Sequence, residues 1–356
     1  MKAPLRAASW WSYKIPPMLA VAYYAIASAP HPVGLGAVAF ELLLYIIAAV
    51  GIAGFGHVLL DAFDVAEDRI NGKSNLWESM STPGAIALVT TLLAASLLPW
   101  TMLPLGRTGI ALIVLEFLMF ALYAIPPVRL KERGFGGVIA DAMYAHALPA
   151  LWTWVPFSIL AGSRTSQWFP FLLAAWALLV GMRHLLQHQA LEVEGDKRAG
   201  ALTFGARHGR DATLRLIAQR IIPVEMIAFG LLLAIAAPHI PFVGVVFVLY
   251  LAWQWFKVRF LWMSKLNMFG PMTDADRTVV VGTYVLSSFY ERWLAPLVLM
   301  VLAWHDPSYL WLLLVHVFLF RGSARGLVRE DIPLAASFVR SSSAERTVRR
   351  ILQSWS

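Results

Sequence analysis

Cysteine is absent from the 356-residue sequence. Disulfides, thiolate metal sites and cysteine nucleophiles are therefore excluded. Charge is scarce as well: Asp, Glu, Lys and Arg make up 14% of the chain, where an ordinary soluble domain carries about 25%. Only 21 residues are acidic against 29 basic, so any cluster of carboxylates stands out. No basic stripe of the kind that tracks nucleic acid is present. The net charge of +8 reads instead as membrane topology and attraction to anionic lipid.

Apolar side chains fill the gap, at 59% of the sequence. One core cannot hide so many, and most must face lipid. Hydropathy places about ten runs, each near the ~20 residues that cross a bilayer, at 16–30, 36–59, 84–105, 109–126, 138–160, 168–187, 217–236, 241–256, 284–304 and 307–320. The expected fold is an all-α integral membrane protein with nine to ten transmembrane helices. Residues 1–320 form the membrane domain, and 321–356 a basic cytoplasmic tail. In that tail Val348, Ile351, Leu352 and Trp355 recur at helical spacing among Arg346, Arg349 and Arg350, the pattern of an amphipathic helix on a membrane surface.

Lys and Arg collect in cytoplasmic loops. With the N-terminus inside, 24 of the 29 basic residues fall in inner segments, Arg183 among them, and only Arg107 and Arg164 in outer ones. Both termini are therefore expected in the cytoplasm, in a bacterial or archaeal cytoplasmic membrane. The N-terminus imitates a signal peptide up to Ala27-Ser28-Ala29. Pro30 at the would-be cleavage position marks it as a retained span. Outer turns are short, and the longer inner loops carry most of the polar chemistry.

Two acidic motifs dominate those inner segments. The first contains Asp61, Asp64 and Asp68, which fall within about 60° of one another on a helix turning ~100° per residue. Three carboxylates on one face repel unless a cation compensates. Hard oxygen ligands suit Mg²⁺, which takes one or two carboxylates and completes its shell with water and phosphate oxygens. The second motif pairs Glu192 with Asp196 at i, i+4, with His188 one turn earlier, and suggests a second metal ion. Arg69 and Lys73 add positive charge beside the first motif, and Asn71 a hydrogen-bond donor. Lys197 and Arg198 follow the second.

At these residues the chain resembles the UbiA superfamily of intramembrane prenyltransferases. Asp61, Asp64 and Asp68 match that family's Asn-Asp-x-x-Asp-x-x-x-Asp, with Leu60 in place of Asn and no Arg-Pro after it. Glu192, Asp196, Gly200 and Thr203 match its second motif, with Glu for the first Asp. Tyr123-Ala-Ile-Pro-Pro-Val-Arg129-Leu-Lys131 resembles its connector. The resemblance covers roughly residues 15–305. It implies a helical bundle around a central cavity open to the cytoplasm and to lipid, and Mg²⁺-dependent transfer of a prenyl group from a prenyl diphosphate to a hydrophobic acceptor in the lipid phase, such as an aromatic or quinone precursor. Two Mg²⁺ ions would be held by Asp61, Asp64, Asp68, Glu192 and Asp196. Diphosphate contacts would come from Arg69, Asn71, Lys73, Arg129, Lys131, Lys197 and Arg198. A terpene cyclase on the same scaffold, needing no acceptor, remains open, as does a non-catalytic transporter.

Carboxylates inside apolar runs default to functional candidates; here they are Glu41, Glu116, Asp141, Glu225 and Glu291. Asp141, with Tyr123, Tyr144, His146 and His188, is the candidate acceptor pocket.

Overall fold

A computed structural model describes residues 10–258 and 273–322, together with positions 325, 328, 331 and 332. Long apolar runs deny the backbone any water to bond, so each closes its own hydrogen bonds as a helix. The helices are α1 (Trp11–Ala27), α2 (Ala39–Ile70), α3 (Thr82–Leu97), α4 (Gly106–Ala124), α5 (Phe135–Ala142), α6 (Leu148–Ala161), α7 (Phe169–Arg198), α8 (Phe204–His208), α9 (Arg210–Leu216), α10 (Ile222–Ala236), α11 (Pro241–Phe256), α12 (Asp274–Ser288), α13 (Ala295–His305) and α14 (Tyr309–Leu319). Among the described residues there is no strand, and the one β-bridge pairs Gly134 with Thr203.

Among the described residues six helical stretches are long and apolar enough to cross a membrane: Ala39–Ile70, Thr82–Thr101, Gly106–Ala124, Phe169–Arg198, Arg210–Ala236 and Asp274–His305. α11 and α14 are apolar but shorter. The helices overlap the runs expected from hydropathy. α2 and α7, however, continue to Ile70 and Arg198, well past the expected ends at 59 and 187. Both acidic motifs therefore ride on helix that projects beyond the apolar run. The surface helix expected at 348–355 lies outside the described residues.

Three rods that are described along their whole length change pitch midway. π turns at Met143–Ala147, Ile217–Ile221 and Phe289–Leu294 join α5 to α6, α9 to α10 and α12 to α13. Each is followed two residues on by a proline: Pro149, Pro223 and Pro296. Proline lacks an N–H, and its ring clashes with the carbonyl four residues earlier. Widening the preceding turn, as in the bonds from Leu148 N to Met143 O and from Ile222 N to Ile217 O, relieves that clash. Such turns are rare and concentrate at functional sites.

Small residues let the rods approach. A Cβ on Gly51 would lie 2.5 Å from the Ser96 backbone nitrogen, so α2 and α3 touch backbone to backbone. A Cβ on Gly181 would lie 2.7 Å from the Ala142 Cα, which presses α7 onto the α5 end of the first π turn. α1 packs against α6 and α13, closing the bundle.

Arg183 corrects the charge count. It lies inside α7, fully buried, with its guanidinium donating to Glu225 at 2.7 and 3.0 Å. A charge is tolerated there because its partner is buried with it. Between α13 and α14, the Asp306 carboxylate accepts from the Ser308 backbone N–H at 2.9 Å, the Ser308 hydroxyl at 2.7 Å and the Leu35 N–H at 3.1 Å. The Ser308 bonds, backbone first, and then the Leu35 bond hold its pKa below the usual carboxylate value.

Candidate active site

A cavity of about 340 Å³ runs into the bundle from the ends of α2 and α7. Its polar end is lined by Asp61, Asp64, Glu67, Asp68, Asn71, Lys73, Lys131, His188, Glu192 and Asp196. Its inner wall is mostly apolar, with Ile15, Met18, Ala49, Ile52, Phe120 and Trp152, and is interrupted by Lys14, Asp141 and the buried Glu116, whose Oε2 accepts from Trp152 at 3.4 Å. The two acidic motifs, more than a hundred residues apart in the chain, therefore face each other across one opening.

Lysines occupy the space between the acids. The Lys131 ammonium donates to Asp64 Oδ1 at 2.5 Å and to Glu67 Oε2. Lys73 donates to both oxygens of Glu192, at 3.0 and 3.1 Å, and His188 Nε2 lies 3.2 Å from Glu192 Oε2. Like-charged carboxylates at this density need a cation between them. In the free protein the lysines serve. Asn75, at the turn after α2, donates to the Asp61 carbonyl and to Asp68 Oδ2, both at 2.8 Å, and fixes the end of the first motif.

The second motif is braced from the loop that follows it. Thr203 donates to Asp196 Oδ2 at 2.7 Å and accepts from Ala206 N–H at 3.1 Å, capping α8. The Gly205 N–H donates to Gln189 Oε1 at 3.1 Å, and a Cβ there would lie 2.7 Å from the Gln189 carbonyl oxygen. The capped turn is thereby docked on α7.

The connector carries one strained residue. Arg129 has φ 37° and ψ 63°, the left-handed region, which costs a non-glycine residue about 1–3 kcal/mol. Its side chain anchors it, donating to the Phe63 carbonyl at 3.0 Å and to Glu67 at 3.4 Å and pairing with Glu132. Arg129 thus sits behind the acids and fixes the connector so that Lys131 reaches in.

Of the residues singled out from sequence, Tyr123, Asp141 and Tyr144 also line this cavity. Four of the expected diphosphate contacts do not. Arg69 turns outward to Glu78 at 3.0 Å, with 72% of its side chain exposed. Lys197 lies 3.8 Å from Glu194, and Arg198 donates to the Glu194 carbonyl at 3.3 Å; both are solvent-facing. Arg129 is the fourth. The first three sit on the outer face of their helix, whereas Arg129 packs behind the acids, 3.6 Å from Asp64; proximity along the chain reveals neither. His146 faces a different chamber, whose lining includes His184 and Ser287. Glu67, Lys14 and His57 also line the main cavity, beyond the residues that the motifs single out. Glu67 had a usable signal, its i, i+3 spacing from Asp64. Lys14 counts among the basic residues of the inner N-terminal segment, whereas α1 already begins at Trp11 and carries it into the bundle.

The donor set suits Mg²⁺. Carboxylates from both motifs meet at one cavity end, and the Asn71 Oδ1 there is buried with no partner among the described residues. No trio of His, Asp or Glu among the described residues is close enough to hold a metal ion by itself. That is compatible with an ion that takes one or two carboxylates and fills its shell with water and phosphate oxygens.

Residues 15–269 match the model of the UbiA prenyltransferase family. A UbiA homolog from Archaeoglobus fulgidus bound to GPP and Mg²⁺ superposes with a TM-score of 0.54 at 13% identity, over 84% of this chain and 98% of that one. A UbiA homolog from the same organism bound to DMAPP and Mg²⁺ gives 0.50 at 15%, over 80% and 98%. A digeranylgeranylglyceryl phosphate synthase gives 0.51 at 16%, over 84% and 94%. At these identities the likeness speaks for the fold. No curated protein is similar enough to count as a match. The family match covers well over half of a chain already seen to be built of membrane-length apolar helices, and this integral membrane protein therefore belongs to the UbiA prenyltransferase family.

Proposed function

We propose that the protein transfers a prenyl group from a prenyl diphosphate to an acceptor in the lipid phase. One observation carries this reading: a single cavity has two facing acidic motifs and a lysine pair at one end and a mostly apolar inner wall at the other. A diphosphate with a hydrocarbon chain has that same polarity. Solved UbiA homologs bind GPP or DMAPP together with Mg²⁺, which supports the assignment of the polar end.

In this reading Asp61, Asp64, Asp68, Glu192 and Asp196, joined by Glu67, are the residues that would hold two Mg²⁺ ions. The ions, when bound, neutralise charge developing on the leaving diphosphate. Lys131 and Lys73 swing from their carboxylates to the diphosphate oxygens, and Asn71 hydrogen-bonds beside them. Thr203 keeps Asp196 aimed inward. Phe120, Tyr123, Tyr144 and Trp152 surround the reacting carbon, where their ring faces stabilise positive charge and, with Ile15, Met18 and Ile52, limit the water around it. The active site and both termini face the cytoplasm, in line with the distribution of basic residues.

The test uses purified protein in lipid nanodiscs, Mg²⁺ and a panel of prenyl diphosphates, with diphosphate release followed with and without acceptors. Release that needs an acceptor is the expected result. Release with a cyclised product and no acceptor would replace transferase by cyclase, and no release with any diphosphate would refute both.

A further inference from the structure

A second chamber of about 410 Å³ adjoins the first and differs from it in kind. Every described residue lining it is polar: Tyr13 and Lys14 on α1, Asp141 and His146 around the first π turn, His184 on α7, and Thr283, Tyr284, Ser287, Ser288, Glu291 and Arg292 around the third. The π turns that precede Pro149 and Pro296 contribute His146, Glu291 and Arg292 to it. Polar side chains inside a membrane bundle are expensive and mark substrate sites. The Thr283 hydroxyl, buried and without a partner among the described residues, awaits one. No prenyl chain fits such walls.

The charges in this chamber balance. In formal charge Lys14 and Arg292 are matched by Asp141 and Glu291, and Arg183, which reaches Ser287 at 3.2 Å, by Glu225, so the lining offers an anion no surplus of cations. The remaining groups are hydroxyls and imidazoles. His184 Nε2 lies 2.9 Å from the Ser287 hydroxyl, and the His146 and His184 rings lie 5.5 Å apart. Such groups both donate and accept, as alcohol groups do.

Among the described residues, Lys14 and Asp141 alone line both chambers, so the two spaces meet at these side chains, the window between them. The Tyr144 hydroxyl donates to Asp141 Oδ1 at 2.5 Å. Asp141 Oδ2 has no hydrogen bond to a described residue and is left to take a proton.

We infer that the all-polar chamber binds the uncharged, hydroxyl-bearing head of an amphiphilic acceptor, and that Asp141 removes the proton of the attacking hydroxyl at the window. The inference rests on the transferase reading above. The C1–O bond of the prenyl diphosphate breaks, and its electron pair leaves with the diphosphate. The acceptor oxygen bonds to C1, its proton passes to Asp141 Oδ2, and the product is a prenyl ether.

The experiment supplies the nanodisc-held chain with geranyl diphosphate, Mg²⁺ and one of three acceptors: a monoalkyl glycerol, the same glycerol carrying a phosphate, or 4-hydroxybenzoate. Affinity for an unreactive thiolo analogue of geranyl diphosphate is measured alongside. Ether formation with the monoalkyl glycerol is expected to exceed that with either anion at least tenfold. Asp141→Asn should lower kcat a hundredfold or more, the usual reach of a general base. Thr283→Trp, which fills the chamber, should raise the acceptor KM at least tenfold. Both variants should bind the analogue as the parent does. Transfer only to the charged acceptors, or parental kinetics in both variants, would overturn the inference while leaving the transferase reading intact. Failure of the parent chain to bind the analogue would instead strike that reading, and this one with it.

Discussion

Replacing Lys131 by methionine keeps the length and the apolar stem of the side chain and removes only its charge. Lys131 is 12% exposed and bridges Asp64 and Glu67, which are 27% and 21% exposed. At an effective dielectric of about 20, an ion pair held at about 3 Å is worth roughly 5 kcal/mol in gross Coulomb energy, and these contacts are at least that close. Desolvation offsets most of that, and measured couplings of close charge pairs start at about 1.5 kcal/mol. Solvent screening of these partly exposed acids argues for the low end, about 2 kcal/mol. In the free protein a divalent ion must displace Lys131 before it reaches Asp64. Lys131→Met removes that competitor, so Mg²⁺ should bind about thirtyfold more tightly in the absence of diphosphate. The diphosphate meanwhile loses a charged hydrogen bond worth about 1.5–3 kcal/mol, and its affinity should fall roughly 10- to 150-fold. The opposite signs are diagnostic. Calorimetric titration of nanodisc-held protein, first with Mg²⁺ and then with an unreactive thiolo diphosphate, reads both. If the two affinities move together, or neither moves, Lys131 does not stand between metal and substrate and the assignment fails.

Other perturbations address neighbouring parts. Asp64→Ala should abolish diphosphate release while the protein keeps its helical circular dichroism and detergent melting profile; an active Asp64→Ala enzyme would refute the metal assignment. Thr203→Val removes both the α8 cap, worth about 1 kcal/mol, and the hydroxyl that aims Asp196. Release should slow at least tenfold with only a small loss of thermal stability, whereas an unchanged rate would show that Asp196 needs no bracing. The bonds to Asp306 lower its pKa in the folded protein. Their stabilisation is therefore complete above the unfolded value of about 3.9 and is lost as pH falls through the lower folded value. Asp306→Asn should flatten that acid limb in melting scans from pH 5 to 2; an unchanged limb would mean that other carboxylates set it.

Hydrophobic runs separated by short polar turns, with basic residues on alternating sides, are enough to establish a polytopic helical protein. Helical periodicity was enough to bring Asp61, Asp64 and Asp68 to one face, because side-chain direction along a helix depends only on position in the chain. The motifs could therefore be found, and their kinship recognised, with no coordinates. Tertiary structure decided everything that depends on which rods become neighbours. Lys131 reaches Asp64, Lys73 reaches Glu192 and Arg183 reaches Glu225 across 67, 119 and 42 positions. No periodicity carries such a separation. It also decided which basic residues turn inward, leaving Arg69, Lys197 and Arg198 in solvent and setting Arg129 behind the acids. Lys14, His146, His184 and Glu291 look like isolated polar residues along the chain. They share one chamber because two prolines widen the turns before them and Gly181 lets α7 close on the first of those turns, and only packing expresses that combination.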